Sequence, residues 1–338
     1  MSQVTSVFLI GATGYIGGAV LVALKKAYPD FSYSALVRSE KDIPAVQALG
    51  VSVVFGSTDN HSLIIDTVAS HDITVGTSNA DDLPLSKAIV EGLKKRAESG
   101  GRPRPIYIHT SGTGVVASKP TGQLTASAQK IYNDNSPDDI ASIAPEQPHR
   151  NVDLEIFAAG ESGQIATYII APSTIYDIGH TNPVNKISQQ VPIIIRAALE
   201  KGHAAYVGDG TNVWNSVNIN DTAELYVLVL RYALKQNETP APPAHKFSNF
   251  FFGSGEVFAW GDIARAVGKI LHARGLLKSP EAISVEPGND FFTAYTGSNS
   301  RSNAERSRTQ LGWKPKSRSI FEALEDDVEA VLKRDGRI

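Results

Sequence analysis

The sequence predicts an α/β fold, a doubly wound parallel sheet with a smaller lobe towards the C-terminus. Short apolar runs alternate with helical patterns through the first half of the chain, the signature of strands joined by crossover helices. A glycine-rich turn, Gly11-Ala-Thr-Gly14-Tyr-Ile-Gly17, stands where the first strand meets the first helix. At 338 residues the chain exceeds what one hydrophobic core usually serves, so two lobes are expected.

The elements follow in order. Val7 to Ile10 reads as a buried strand and Ile16 to Lys26 as a helix. Tyr33 to Val37 and Val51 to Phe55 are the second and third strands. Ile73 to Thr77 and Ile106 to Thr110 follow, separated by the helical stretch Pro84 to Ala97 and the loop Ser99 to Pro105. Residues 133–148 are polar and proline-bounded, with four acidic residues and no basic one. A loop of that length reads as a lid, a binding loop or a disordered segment. A helix is expected from about Arg150 to Ala159 and a strand from Ala166 to Ile170. Asp221-Thr-Ala-Glu224 reads as a capping box ahead of a helix ending near Leu234. Thr239 to Ala244 is a stiff connector, and helices near Trp260 to Leu271 and Ile320 to Lys333 build the smaller lobe.

Composition narrows the chemistry. Lys+Arg number 32 and Asp+Glu 35, a formal net charge of −3, which gives no electrostatic case for nucleic acid. There is no cysteine, so disulfides, thiolate metal sites and a cysteine nucleophile are excluded. No apolar run approaches the roughly 20 residues that span a bilayer. A signal peptide is not expected: apolar residues begin at Val7, no basic region precedes them, and glycines follow at once. A soluble, cytoplasmic protein with no membrane partner is expected.

The glycine turn is the first functional signal. Its glycines allow a tight turn and close backbone approach, and the helix start offers free N–H groups and a positive dipole end to a pyrophosphate. The spacing Gly-x-x-Gly-x-x-Gly resembles that of the extended and atypical short-chain dehydrogenase/reductases. Pro172-Ser-Thr-Ile-Tyr176, Val207-Gly-Asp-Gly210, Trp214 to Asp221 and Leu311-Gly-Trp-Lys-Pro315 are similar to later landmarks of that superfamily, in the same order. Among its branches the chain resembles most the NmrA-like and epimerase-like proteins common in fungi. The resemblance implies a Rossmann-type domain of residues 1–172 and 214–252. It also implies a discontinuous lobe of 173–213 and 253–338 that caps a small-molecule substrate, and a possible homodimer formed through a helix bundle.

Residue types at the second strand's end favour NADP(H). An NAD-preferring fold usually places an acidic residue there for the ribose 2′-hydroxyl. Here Ala35-Leu-Val37 has none, and Arg38-Ser39 follows, where an arginine can pair with a 2′-phosphate. By position, the resemblance places Gly11, Thr13, Gly14, Tyr15, Ile16 and Gly17 on the pyrophosphate. It places Ser57 and Thr58 near the adenine and Thr77 to Ala80, Asn79 among them, along the ribose. Thr110-Ser111 then falls beside the nicotinamide ribose, and Pro172 with Thr174-Ile175 near the carboxamide.

The superfamily's acid/base pair is missing. It is Tyr-x-x-x-Lys on one helix, a spacing that puts both side chains on one face so the ammonium lowers the phenol's pKa. No lysine here has a tyrosine four residues before it. Where the motif belongs, Gln147 and Asn151 stand in one register and His149 and Asp153 in another. The usual serine after the fifth strand is Gly112, flanked by Ser111 and Thr113, either of which could hydrogen-bond a substrate oxygen. His149 is the most suitable replacement donor by intrinsic pKa, with Asp153 one turn on to orient it; the alternative is that His149 only begins a helix and Asp153 is a solvated or paired side chain. Tyr132, Tyr176 and Asp177 are further titratable candidates.

Three functions remain open on this reading. The first is an NADP(H)-dependent reductase or dehydrogenase of a small organic carbonyl, enone or imine with a non-standard proton donor. The second is a cyclase or isomerase of specialised metabolism that keeps its cofactor, with the acidic loop 133–148 stabilising a cation. The third is a dinucleotide sensor. Trp214, Phe250 to Phe252, Trp260, Phe291, Phe292 and Tyr295 could wall an apolar pocket, which would favour an enzyme.

Overall fold

Strand β1 (Ser6–Ile10) is apolar from Val7 onward, with those residues fully buried, because helices cover both faces of the sheet it centres. The computed structural model describes residues 5–100, 102–288 and 290–338, with the side chains of Ser127 and Phe291 outside the described residues. After β1 come α1 (Tyr15–Ala27), β2 (Ser32–Val37), α2 (Ile43–Gln47), β3 (Ser52–Phe55), α3 (His61–Ser70), β4 (Ile73–Gly76), α4 (Leu83–Glu98) and β5 (Ile106–Thr110). The middle of the chain adds β6 (Tyr132–Asn133), α5 (Pro137–Ala141), α6 (Arg150–Gly160), β7 (Ala166–Pro172), β8 (Thr174–Tyr176), α7 (Gln190–Lys201) and β9 (Ala205–Val207). Then follow β10 (Val213–Asn218), α8 (Ile219–Glu238), β11 (Phe250–Gly253), β12 (Val257–Ala259), α9 (Trp260–Ala273) and β13 (Ile283–Val285). The last elements are α10 (Phe291–Thr296), β14 (Ser302–Asn303), α11 (Glu305–Leu311) and α12 (Ile320–Arg334).

Seven strands form one parallel sheet in the order β11-β7-β5-β4-β1-β2-β3. The order reverses between β1 and β4, and the crevice beyond the strands' C-terminal ends at such a switch point is where ligands bind in open α/β sheets. The expected doubly wound Rossmann-type sheet is therefore present.

A second, three-stranded sheet, β12-β10-β8, continues from the first. Strand β7 passes into β8 through Ser173, whose N–H donates to the Gly253 carbonyl at 3.0 Å. Beside it, β11 passes towards β12 through Ser254 to Glu256, and the Gly255 N–H donates to the Ser216 carbonyl at 2.9 Å. Apolar burial follows the two sheets. One cluster fills the seven-stranded sheet and its helices, and a second gathers α7, α9 and α12 around Trp214, Phe258 and Trp260.

Two sequence expectations change here. The stretch 133–148 is folded against the body: it contains half of β6 and α5, and Asp134 is fully buried. Asp134 accepts from the backbone N–H groups of Phe252 (2.9 Å) and Arg306 (2.7 Å), pinning β11 and α11, while Asp139 accepts from the Asn133 N–H. Helix α8 begins two residues before the supposed capping box. Asn218 caps it, and Asp221 accepts instead from the N–H groups of Lys316 and Ser317. The reciprocal capping box lies at Ser319 and Glu322, at the start of α12.

Among the described residues no helix is long and apolar enough to cross a membrane.

Candidate active site

The glycine turn is built for close approach. Gly11 sits at φ +93°, and a Cβ there would meet the Thr77–Ser78 backbone at 2.8 Å. A Cβ on Gly17 would lie 2.1 Å from the Gly11 carbonyl oxygen, so the turn closes on α1 only with glycine at both places. The first turn of α1 is held from outside by Asn182, whose Nδ2 donates to the carbonyls of Gly14 (2.8 Å) and Tyr15 (2.9 Å). Sequence reasoning missed Asn182, which lies in a loop before α7 and carries no local signal.

One cleft of about 1170 Å³ runs from this turn into the lobe. Of the expected cofactor residues, Gly11, Thr13, Gly14, Tyr15, Ile16, Arg38, Asn79, Thr110, Pro172 and Ile175 line it. Gly17, Ser39, Ser57 and Thr174 do not. Gly17 is packed against the Gly11 carbonyl and the Thr77 hydroxyl. Ser57 turns its hydroxyl onto Asp59, leaving Gly56 and Thr58 at the wall, and Thr174 is fully buried. Arg38 projects exposed just beyond β2 at the cleft wall. Thr110 is held by the Gly76 carbonyl (2.7 Å) and the Tyr226 hydroxyl (2.6 Å).

At the middle of the cleft stand Ser111, Thr113 and His149. His149 caps α6 in the left-handed region, φ +67°. That conformation swings its ring away from α6 and onto Asp81, which accepts from both the His149 N–H (2.9 Å) and Nδ1 (2.8 Å). The ring's Nε2 lies where side chains on Gly112 and Gly114 would point, 3.1 Å from where a Cβ on either would stand. The place of the usual serine side chain is thus filled by the imidazole, and Gly112 leaves room for it. Asp81 was missed by sequence reasoning. The pair Asp81-Asp82 held the signal, since Asp82 alone serves as the N-cap of α4, accepting from the Leu85 N–H.

Asp153 does not orient His149. One turn into α6, its side chain faces β5, fully buried, and accepts from the Ser111 hydroxyl at 3.0 Å. Burial pushes its carboxyl up to about 7, against the opposing pull of the Ser111 hydrogen bond and the nearby Arg150 charge. His109 lies behind it, its Nε2 4.0 Å from Asp153 Oδ1. Burial drives the His109 ring down to about 3, so it is neutral.

Other candidates lie elsewhere. Tyr176 donates to the Arg318 carbonyl, Asp177 pairs with Arg318, and Tyr132 sits in β6. Gln147 lines the cleft and Asn151 is exposed. Of the aromatic residues proposed as pocket walls, Trp214 and Tyr295 line the cleft. Phe250 to Phe252 are buried on both faces of β11, and Trp260 and Phe292 belong to the lobe's core. Gln189, Gln190, Ala294 and Ser298 complete the lobe side.

This fold and cleft define a Rossmann-type α/β protein with a second, smaller apolar cluster beside its main sheet. Residues 3–95 match the sequence model of the NmrA-like family. Over its length the chain is 27% identical to the oxidase ucsJ of an Acremonium species, covering 98% of each. Among solved structures it is similar to dTDP-glucose 4,6-dehydratase of Bacillus anthracis in complex with NAD (TM-score 0.67, 16% identity, 98% of each chain covered). It is equally similar to UDP-glucuronic acid 4-epimerase of Bacillus cereus in complex with UDP-glucuronic acid and NAD (TM-score 0.67, 14% identity, 98% of this chain and 100% of that one). The likeness drawn from the glycine turn and its later landmarks therefore stands.

Proposed function

We propose that the protein is an NADP(H)-dependent oxidoreductase that reduces a small organic carbonyl, enone or imine. The observation that carries this reading is the continuity of one cleft from the glycine turn, past Ser111 and His149, to the lobe residues Gln189, Gln190, Trp214 and Tyr295. A dinucleotide laid on the turn leaves the lobe end for a second molecule. The residues fit such a cofactor: the cradle at Gly11 and Gly17 admits no Cβ, and the exposed guanidinium of Arg38 suits a 2′-phosphate. Bound there, a dihydronicotinamide supplies hydride to an electrophilic carbon.

The chain's own part is to bind, orient and manage one proton. Ser111 offers a hydroxyl to the substrate oxygen, with Thr113 beside it, and His149, fixed by Asp81, walls the same spot. Residues 1–172 and 214–252 are the cofactor half and 173–213 with 253–338 the capping lobe in this reading. The homodimer through a helix bundle belongs to this reading: α4 turns Lys87, Glu91, Lys94, Lys95 and Glu98 outward, and α6 presents Asn151 and Ala158 with Leu154 partly exposed. None of the four acidic residues of 133–148 lines the cleft, and Asp134 and Asp139 accept from backbone donors instead, which speaks against the loop as the stabiliser of a cation there.

The test is loss of dihydronicotinamide absorbance when protein, NADPH and a panel of ketones, enones and imines are combined. Consumption with at least one carbonyl class, and tighter binding of NADPH than NADH that Arg38→Ala abolishes, are expected. Substrate conversion without consumption, or equal affinity for the two cofactors, would overturn the reading.

A further inference from the structure

Behind the cleft wall lies a file of polar groups that packing alone does not call for. Ser111 Oγ, at the cleft, lies 3.0 Å from Asp153 Oδ2, donating to the carboxylate and, when the carboxyl holds its proton, accepting from it so that the Ser111 proton is free to face the cleft. The other oxygen, Asp153 Oδ1, and His109 Nε2 are both buried with no hydrogen-bond partner, and they face each other across 4.0 Å. On its far side the His109 Nδ1 is 3.1 Å from the Tyr107 hydroxyl. Tyr107 and His109 in turn line a small cavity of about 10 Å³ with Asn79, Asp82 and Ser86. That volume is close to what one water needs. Asn79 is exposed, and Ser86 carries a buried hydroxyl with no partner. Two facing orphans in a core are expensive, since each buried unpaired polar group costs about 1–3 kcal/mol. An approach of about 1 Å would bring them within hydrogen-bond range.

We propose that Ser111 delivers the reaction's proton and that Asp153, His109 and Tyr107 form the buried relay that supplies it, in place of the absent Tyr/Lys pair. The inference rests on the reductase reading. Once hydride has reached the carbonyl carbon, the oxygen needs one proton. The Ser111 O–H bond breaks as the substrate O–H forms, and Ser111 Oγ takes the proton of the Asp153 carboxyl. The carboxylate left behind takes a proton from His109 Nε2 while Nδ1 takes one from the Tyr107 hydroxyl, and solvent reached through the small cavity restores the last. The sum is one hydride and one proton added to the carbonyl, with the dihydronicotinamide oxidised.

The charges facing Asp153 and His109 suit this use. Arg150 on α6 acts on Asp153, Asp81 after β4 acts on both groups, and His149 acts on His109, while burial raises the carboxyl to about 7, so that both its forms are present near neutral pH, and keeps the ring neutral. Ser111 touches the substrate. Asp153, His109 and Tyr107 act through it as positioning and proton-carrying residues.

The experiment has two arms. Nitrogen-labelled histidine NMR on the whole protein, with the His109 signal assigned by its loss in His109→Gln, follows the ring from about pH 5 to about pH 9. The His109 shifts are expected to move with a midpoint near 7 as Asp153 titrates. Asp153→Asn removes that midpoint, and Ser111→Ala, which deletes only a hydroxyl, keeps it and moves it upward. A flat wild-type titration, or the same midpoint in Asp153→Asn, overturns the relay. In turnover, Asp153→Asn lowers kcat at neutral pH at least tenfold and flattens the pH profile with NADPH affinity unchanged; an unchanged kcat and profile overturn it. Absence of NADPH consumption by the wild type sinks the reductase reading instead, and the NMR arm then decides whether Asp153 and His109 share a proton.

Discussion

At the scale of single residues, a carboxyl and an imidazole are each held away from their ordinary charge by burial. Asp153 is raised from 3.8 to about 7. Between about pH 4 and about pH 7 the unfolded chain has lost the proton that the native state keeps, so ionisation favours unfolding. Stability therefore falls across that window as pH rises and levels off above it. The shift of about 3 units corresponds to roughly 4 kcal/mol as an upper bound. Asp153→Asn has no such term. Urea unfolding is expected to show the variant gaining on the wild type by a few kcal/mol between pH 5 and pH 8. A gap that stays constant with pH would show that Asp153 is ionised throughout. His109 has the opposite sign: lowered to about 3, it stays neutral in the fold while the unfolded ring charges below its ordinary 6.5, so its contribution is lost as pH falls through that range.

At the scale of elements, the start of α6 decides the site. His149 holds a left-handed conformation that glycine adopts freely and other residues adopt at a cost of about 1 kcal/mol. His149→Gly and His149→Ala both lose the Asp81 contacts, yet the glycine variant is expected to unfold at higher denaturant, about 1 kcal/mol more stable than the alanine one. Equal stabilities would show that the helix start relaxes once the ring is gone. This same residue marks the limit of what the sequence discloses. The strands β1 to β5 and the turn at Gly11 were legible because apolar runs and glycine spacing are local signals. So was the absence of Tyr and Lys. The partner of His149 was not, because a left-handed φ turns the ring out of the helical direction and onto Asp81, and no spacing rule encodes that. Helical spacing placed Asp153 beside His149, and the backbone separated them. His109 was overlooked because an isolated histidine in an apolar strand looks like filler until its neighbour on α6 is known.

At the scale of the whole molecule, the two halves are locked at one corner. Asp177, itself at φ +79°, is gripped by Arg318 through Nε (3.0 Å) and Nη2 (2.6 Å) and by Asn218 Nδ2 (2.7 Å). Burial would raise this carboxyl, but the Arg318 bonds, with those of Ile178 and Asn218, hold it below its ordinary value. Its contribution is present above the unfolded pKa and fades as pH falls through the folded one. Arg318→Ala is expected to cost roughly 1–2 kcal/mol near pH 7, reduced because the guanidinium is partly exposed, and much less near pH 3. Thermal unfolding at the two pH values checks it, and an equal loss at both would assign the effect to packing.

The corner has a mechanical meaning for the cleft. The chain passes from β7 into β8 at Ser173, beside Ser216 of β10 and the Ser254 to Glu256 link from β11 to β12, because β8, β10 and β12 share one sheet. It passes between the two apolar clusters again after Trp313, which packs in the first while Ile320 packs in the second. Ties at more than one line oppose a hinge, so the width of the cleft is set by the fold and a guest is measured by its fit to a fixed frame.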